Sequence, residues 1–133
     1  MTPEIFSNQA LEKQHTRNAT IWLESDGIIR SKVSPGSVDS LEDAKAFVAA
    51  VLKIAPIKRY PALVDIRNKK FTSREARAYY AAQGGNMASV CAILIGSKLT
   101  AVLANFFLRI NKPTIPVKIF NSEEKALKWL KSF

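Results

Sequence analysis

From Ala19 onward the hydrophobic period of this chain switches repeatedly between two residues and three to four, and no other feature constrains its fold as much. ATIWLES and IIRSKV flank Ser25-Asp26-Gly27, a hairpin signal. A three-residue loop with Gly27 in the left-handed region pairs Leu23 with Ile29 and Ile21 with Ser31, which puts Ala19, Ile21, Leu23, Ile29 and Val33 on one face. A two-residue Asp-Gly turn would mix those apolar residues with Arg30 and Lys32, so the longer loop is expected.

After the SPGS turn, Ser40-Leu-Glu-Asp43 reads as a capping box opening a helix to about Ile54, with Leu41, Ala44, Phe47, Val48, Val51 and Leu52 facing a core. YPALVDI is nearly all apolar, as expected of a parallel strand covered on both faces. A second helix begins at Thr72 or Ser73, with Thr72-Ser-Arg-Glu75 as a second box, and stops at Gly84-Gly85. SVCAILIG is a buried strand. Ser97 caps a third helix, LTAVLANFFLRI, PVKIF is the last strand, and Asn121-Ser-Glu-Glu124 opens the closing helix. The resulting β-β-α-β-α-β-α-β-α order predicts an α/β fold: an N-terminal β-hairpin followed by βα units, a mixed, mostly parallel sheet and about four helices. One domain spans residues 19–133, and residues 1–18 form either a loose arm or an edge strand.

Composition narrows the class. The 133 residues are 47% apolar, enough to close a core, and the single Cys excludes a disulfide framework or a multi-cysteine zinc site. No signal peptide is visible at the start, and the longest apolar run, Ala46 to Leu52, is far short of the roughly 18 residues of a membrane span. The expectation is a cytoplasmic protein with no metal and no cofactor.

Three segments, YPALVDIRN, TSREARAYYA and VCAILIGSKLTAVLANFFLRINKPTIPVKIFNSEEKALKWL, together resemble STAS-like proteins of the anti-sigma-factor-antagonist type, in particular small stand-alone bacterial members of uncharacterised role. The resemblance covers residues 19–133 and implies a non-enzymatic regulatory module. In that family a Ser at the start of the helix after the third strand is phosphorylated, within the pattern Asp-Ser-Ser-Gly. Counted from Asp65 through Phe71, those places fall on Ser73, Arg74, Glu75 and Ala76, so the phosphoacceptor does not carry over. Ser73 is expected to serve as a helix cap. The same winding is also similar to CRAL-TRIO lipid carriers, which implies an apolar ligand without naming a residue for it.

Charge is placed unevenly. Residues 1–60 carry 8 basic and 7 acidic groups, whereas residues 61–133 carry 12 and 4, and the whole chain is at +9. The excess is densest in the loop after YPALVDI and the first turn of the next helix, at Arg67, Lys69, Lys70, Arg74 and Arg77, with Lys98 repeating the feature on the neighbouring unit. Ligands of parallel sheets bind at that carboxyl edge, and basic groups around a helix N-terminus suit an anion or an acidic partner. The expected binding set is therefore Arg67, Lys69, Lys70, Ser73, Arg74, Arg77 and Lys98, set against the plainer reading of a solvated basic loop. The cluster holds only Tyr60 and Phe71 as aromatics and contains no nucleic-acid motif, which argues against nucleic acid as the partner.

The third helix is apolar nearly all round. Its second side, with Ala104, Phe107 and Leu108, is covered by the chain itself, by a second copy in a homodimer, or by a greasy ligand. No catalytic constellation emerges. His15 has no implied partner, Cys91 lies in a buried strand, Asp65 suits a loop-fixing carboxylate beside Arg67, and Trp22 faces Arg30 as a cation–π partner. Two functions are carried forward: a protein-interaction module that binds through its basic edge, and a carrier or sensor of a small anionic or amphipathic ligand.

Overall fold

The computed structural model describes residues 12–97, Arg109 and residues 112–133. Its elements in chain order are β1 (Gln14–His15), β2 (Ala19–Leu23), β3 (Ile29–Val33), β4 (Val38–Asp39), α1 (Leu41–Ile54), β5 (Ala62–Asp65), β6 (Phe71–Thr72), α2 (Arg74–Met87), β7 (Cys91–Leu94), β8 (Val117–Phe120) and α3 (Glu123–Leu130). Six strands form one sheet in the order β1-β2-β3-β5-β7-β8, and β4 and β6 pair separately. The first three strands are antiparallel and the rest parallel, so the hairpin is spliced onto the edge of a βα array.

The hairpin register is the one its faces demand. Leu23 pairs with Ile29 and Ile21 with Ser31, and Gly27 takes φ +80° in a three-residue loop closed by Glu24 N–H to Ile28 O at 3.1 Å. Alternation then divides the molecule into layers. Ala19, Ile21 and Ile29 pack under Val51 of α1 and Ala55, which caps its C-terminus. On the opposite face Leu63, Ala92 and Leu94 pack with Ala126 and Leu130 of α3. Burial of Leu94 and Leu130, both almost fully enclosed, contributes about 1.5–3 kcal/mol each. Helix α2 lies beside α1, where Phe47 and Tyr80 meet edge to face at 5.6 Å.

Several local expectations are corrected. Leu52 faces outward, because the stripe of Ala44, Val48 and Val51 already fills the contact. Helix α2 does not stop at Gly84-Gly85 but runs to Met87. Its glycines serve close approach rather than a cap: a Cβ on Gly85 would stand 2.6 Å from Thr114 Oγ1. The second capping box does not form, since Ser73 is the cap and Ala76, not Glu75, holds the third helical position. Arg30 does not stack on Trp22. Asp26 takes its guanidinium through two hydrogen bonds of 3.1 and 2.9 Å, and Lys13 lies over the indole at 4.8 Å. The third helix expected from the sequence, with the self-association residues Ala104, Phe107 and Leu108, and also Lys98, lies outside the described residues, so three helices are described rather than four.

Candidate functional site

The carboxyl edge of the parallel strands is built by two loops that lock together. Residues 34–39 follow β3 and residues 66–73 follow β5, and they are joined by Gly36 N–H to Asn68 O (2.8 Å), Lys70 N–H to Ser37 O (2.9 Å) and Ser73 N–H to Asp39 O (2.9 Å). Gly36 sits at φ +72°, a conformation its missing Cβ permits. The locking pairs β4 with β6 and sets Val38 opposite Phe71. Both side chains point to solvent, 45% and 56% exposed. Sequence reading noted the charges here but not this apolar pair. Phe71 within a basic run was the only available signal, and a two-residue strand is too short to show a period.

The described members of the expected binding set do not share one setting. Lys70 and Arg74 are exposed beside Phe71. Arg67 is clamped by Asp65 through Nε–Oδ1 (3.1 Å) and Nη2–Oδ2 (2.8 Å), and it lies in a small cleft on the α3 side with Trp22, Lys32 and Glu123. Burial works against the Asp65 charge, yet the Arg67 guanidinium and backbone N–H hold the carboxyl below its ordinary value. Gly96 backs the arrangement, because a Cβ there would come 3.0 Å from the Arg67 carbonyl oxygen. Ser73 is a helix cap whose Oγ accepts from Ala76 N–H at 3.1 Å, and Arg77 Nη1 donates to Thr72 O at 2.5 Å.

Lys69 is turned inward. Its Nζ stands 2.8 Å from Asp39 Oδ2, with the side chains only 12% and 5% exposed, and 5.4 Å from the Tyr80 ring. Asp39 also accepts from Tyr80 Oη at 2.7 Å and from Asn18 Nδ2 at 2.7 Å, so one carboxylate ties together the arm before β2, the loop at Lys69 and helix α2. Burial, and then the hydrogen bond to Asp39, push the Tyr80 hydroxyl well above its ordinary value. Beside this network Arg17 binds Asp43 through two hydrogen bonds of 3.0 and 2.6 Å and holds its carboxyl far below the usual carboxylate range. Asp43 simultaneously closes the capping box with Ser40. Nothing in local spacing links Asn18, Asp39, Lys69 and Tyr80, which is why the network was not legible in the sequence.

Behind the edge lies a cavity of about 440 Å³ between the sheet and helices α1 and α2. Its floor is Ile29, Val64, Cys91, Ile93 and Val117, and its walls include Phe47 and Ala81. Lys69, Lys70, Thr72 and Arg77 stand at the carboxyl-edge end. The Cys91 thiol opens onto this apolar space as part of the floor, and burial pushes its pKa up to about 12, which disfavours the thiolate. His15 lies on the exposed edge strand against Thr20 Oγ1 at 3.2 Å. Among the described residues no group of His, Cys, Asp and Glu is placed to hold a metal ion, and no helix is long and apolar enough to cross a membrane.

The profile of the family described as Domain of unknown function (DUF7793) matches residues 21–133. No curated protein matches the chain. Among solved structures, an uncharacterized protein of the DUF3478 family with a SpoIIAA-like fold, from Shewanella loihica PV-4, is similar at a TM-score of 0.56 and 18% identity, over 90% of this chain and 91% of that one. An anti-sigma factor antagonist from Mycobacterium paratuberculosis is similar at 0.57 and 12%, over 85% and 92%. A protein with unknown function from Arthrobacter sp. fb24 is 33% identical over 90% and 98%, at a TM-score of 0.35. The two likenesses above 0.5 identify the fold as STAS-like, as the sequence resemblance implied.

Proposed function

The chain belongs to the DUF7793 family and has a STAS-like fold, and from that premise we propose that it is a non-enzymatic regulatory module of the cytoplasm that captures an acidic protein partner on its carboxyl edge. One observation carries this reading: the solvent-facing Val38–Phe71 pair lies beside exposed Lys70 and Arg74 on a backbone locked by interloop hydrogen bonds. An aromatic anchor on a preorganised frame with charges at its rim is the anatomy of a protein contact, in which the apolar centre supplies affinity and the rim sets encounter rate and partner choice. The anti-sigma factor antagonist of similar fold supports a protein partner as the class.

The test compares wild type with Lys70→Glu/Phe71→Ser as bait in lysate of the organism of origin, after nuclease treatment and with elution in salt steps. Lys69 is left alone because its charge holds the edge together. One or two proteins retained by wild type and lost from the variant, at an unchanged urea midpoint, are expected. Equal retention by both baits would overturn the reading. A second reading, a carrier or sensor of a small anionic or amphipathic ligand, is supported by the cavity behind the edge.

A further inference from the structure

The two ends of the sheet carry charge differently. Helices α1, α2 and α3 all start at the carboxyl edge, and their first turns bring Glu42 and Asp43, Glu75, and Glu123 and Glu124 there, among the lysines and arginines of that edge. The opposite end collects the C-termini of these helices, the hairpin tip and the segments that lead into β5, β7 and β8. Lys53, Lys58, Arg59, Lys112 and Lys131 are exposed there, and none of them forms an ion pair among the described residues. The acids described at this end are Glu12, on the outer edge, and Glu24 and Asp26, which pair with Arg30. Positive charge is thus answered by fewer acids here than at the carboxyl edge.

An apolar group accompanies the charge. Ile57 is 93% exposed, the most open of the described large hydrophobic residues, and it stands between Pro56 and Lys58. Its loop is pinned on three sides. Arg59 Nη1 donates to Gly85 O at 2.7 Å, Ser89 N–H to Tyr60 O at 3.1 Å, and Ile29 N–H to Pro61 O at 2.9 Å. Lys58 Nζ lies 4.9 Å from the Tyr60 ring. Neither a carbonyl nor a ring cancels a cation, so both charges stay beside Ile57. The segment that carries Lys112 closes on the same place, because Thr114 and Ile115 pack against Gly84 and Gly85. Lys53 answers the dipole at the end of α1, but Lys58, Arg59 and Lys112 lie outside the helices and have no such duty.

A protein partner would need a pocket for Ile57, and a nucleic-acid backbone gains nothing from an aliphatic side chain. An anionic bilayer takes an isolated aliphatic group without a preformed pocket and answers cations with its phosphates. We propose that this end of the molecule docks on an anionic phospholipid surface, with Ile57 entering the headgroup layer and Lys58, Arg59 and Lys112 over the phosphates. The contact edge, at the other end of the strands, then faces away from the bilayer. The inference goes beyond the capture reading and does not depend on it.

The test sediments the full chain with vesicles of phosphatidylcholine alone and of an equal mixture with phosphatidylglycerol, at low and high salt. Binding to the mixed vesicles only, weakening as salt rises, is expected. Lys58→Gln and Lys112→Gln each lower the partition constant about fivefold. Ile57→Ser lowers it about tenfold at an unchanged urea midpoint, since the side chain supports nothing in the free protein. Arg59 is left in place because it pins the loop. The contact-edge variant Lys70→Glu/Phe71→Ser binds the mixed vesicles as wild type does, and Ile57→Ser still captures the protein partner, so the two readings fail separately. Absence of binding to the mixed vesicles, equal binding to phosphatidylcholine alone, or indifference to Ile57→Ser would overturn the proposal. Loss of vesicle binding in Lys70→Glu/Phe71→Ser would put the lipid on the contact edge and overturn it as well. A DNA duplex bound as tightly as the mixed vesicles, by wild type and Ile57→Ser alike, would reassign this end to polyanions in general.

Discussion

Two adjacent lysines show how little a residue's type says about its role. Lys69 and Lys70 sit in the same basic run, and in the sequence they are equivalent. In the fold Lys69 is inside, bonded to Asp39 under the Tyr80 ring, and Lys70 is outside. Removing one partner of a nearly buried pair strands the other charge, which costs about 3–5 kcal/mol. An exposed lysine away from such a pair changes stability by roughly 0.5 kcal/mol or less. Lys69→Ala is therefore expected to destabilise by about 3 kcal/mol and Lys70→Ala hardly at all, as read from urea unfolding midpoints at constant slope. Equal effects would mean that the Asp39 network does not hold the edge. Among the described members of the expected binding set, Lys70 and Arg74 are exposed and take part in none of the ion pairs described above.

At the scale of elements, the ends of the helices were legible where a single local interaction decides them. Ser40 with Asp43 and Ser73 with Ala76 N–H are local pairings, and each follows from a cap residue before an apolar period, whereas the closing helix, expected to open with Asn121, is capped one residue later by Ser122, whose Oγ accepts from Lys125 N–H. The end of α2 was misjudged for the complementary reason. Two successive glycines normally end a helix, but here the segment around Thr114 and Ile115 packs against them and the helix continues. The two glycines are not equivalent. A Cβ on Gly84 would meet Ile115 at an ordinary 3.8 Å, whereas one on Gly85 would force Thr114 to turn. Gly84→Ala is expected to stabilise the protein by about 0.5–1 kcal/mol through helix propensity, with Gly85→Ala falling clearly short of it. Thermal unfolding of the two variants decides the point, and the reverse order would contradict the packing described.

Across the whole molecule, stability is tied to pH through carboxylates held charged by basic partners. Asp43 with Arg17, Asp65 with Arg67 and Asp26 with Arg30 each have folded-state values lowered from the ordinary one. A lowered folded value means stabilisation that is complete above the unfolded pKa of about 3.9 and lost as pH falls below it. Protonation also adds positive charge to a chain already at +9, which increases self-repulsion. Urea midpoints are therefore expected to fall between pH 7 and pH 3, and Asp43→Asn should lose part of that difference because its contribution is absent at both pH values. A flat profile would show that these pairs are not formed in solution.

What the sequence determined by itself was whatever depends on neighbours along the chain: the alternation that puts Ile21 and Ile29 on one face, the left-handed Gly27, the caps at Ser40 and Ser73, and the parallel order that follows from βα crossovers. These are short-range choices, and each has one favourable solution. The tertiary structure decided what depends on distance in space: which of two lysines meets Asp39, that Val38 and Phe71 face each other in the open, and that Ser31 looks into an apolar cavity with no partner among the described residues. The physical reason is that burial and ion pairing are set by which loops close on each other, and residues 18, 39, 69 and 80 carry no mark of their meeting until the chain has folded.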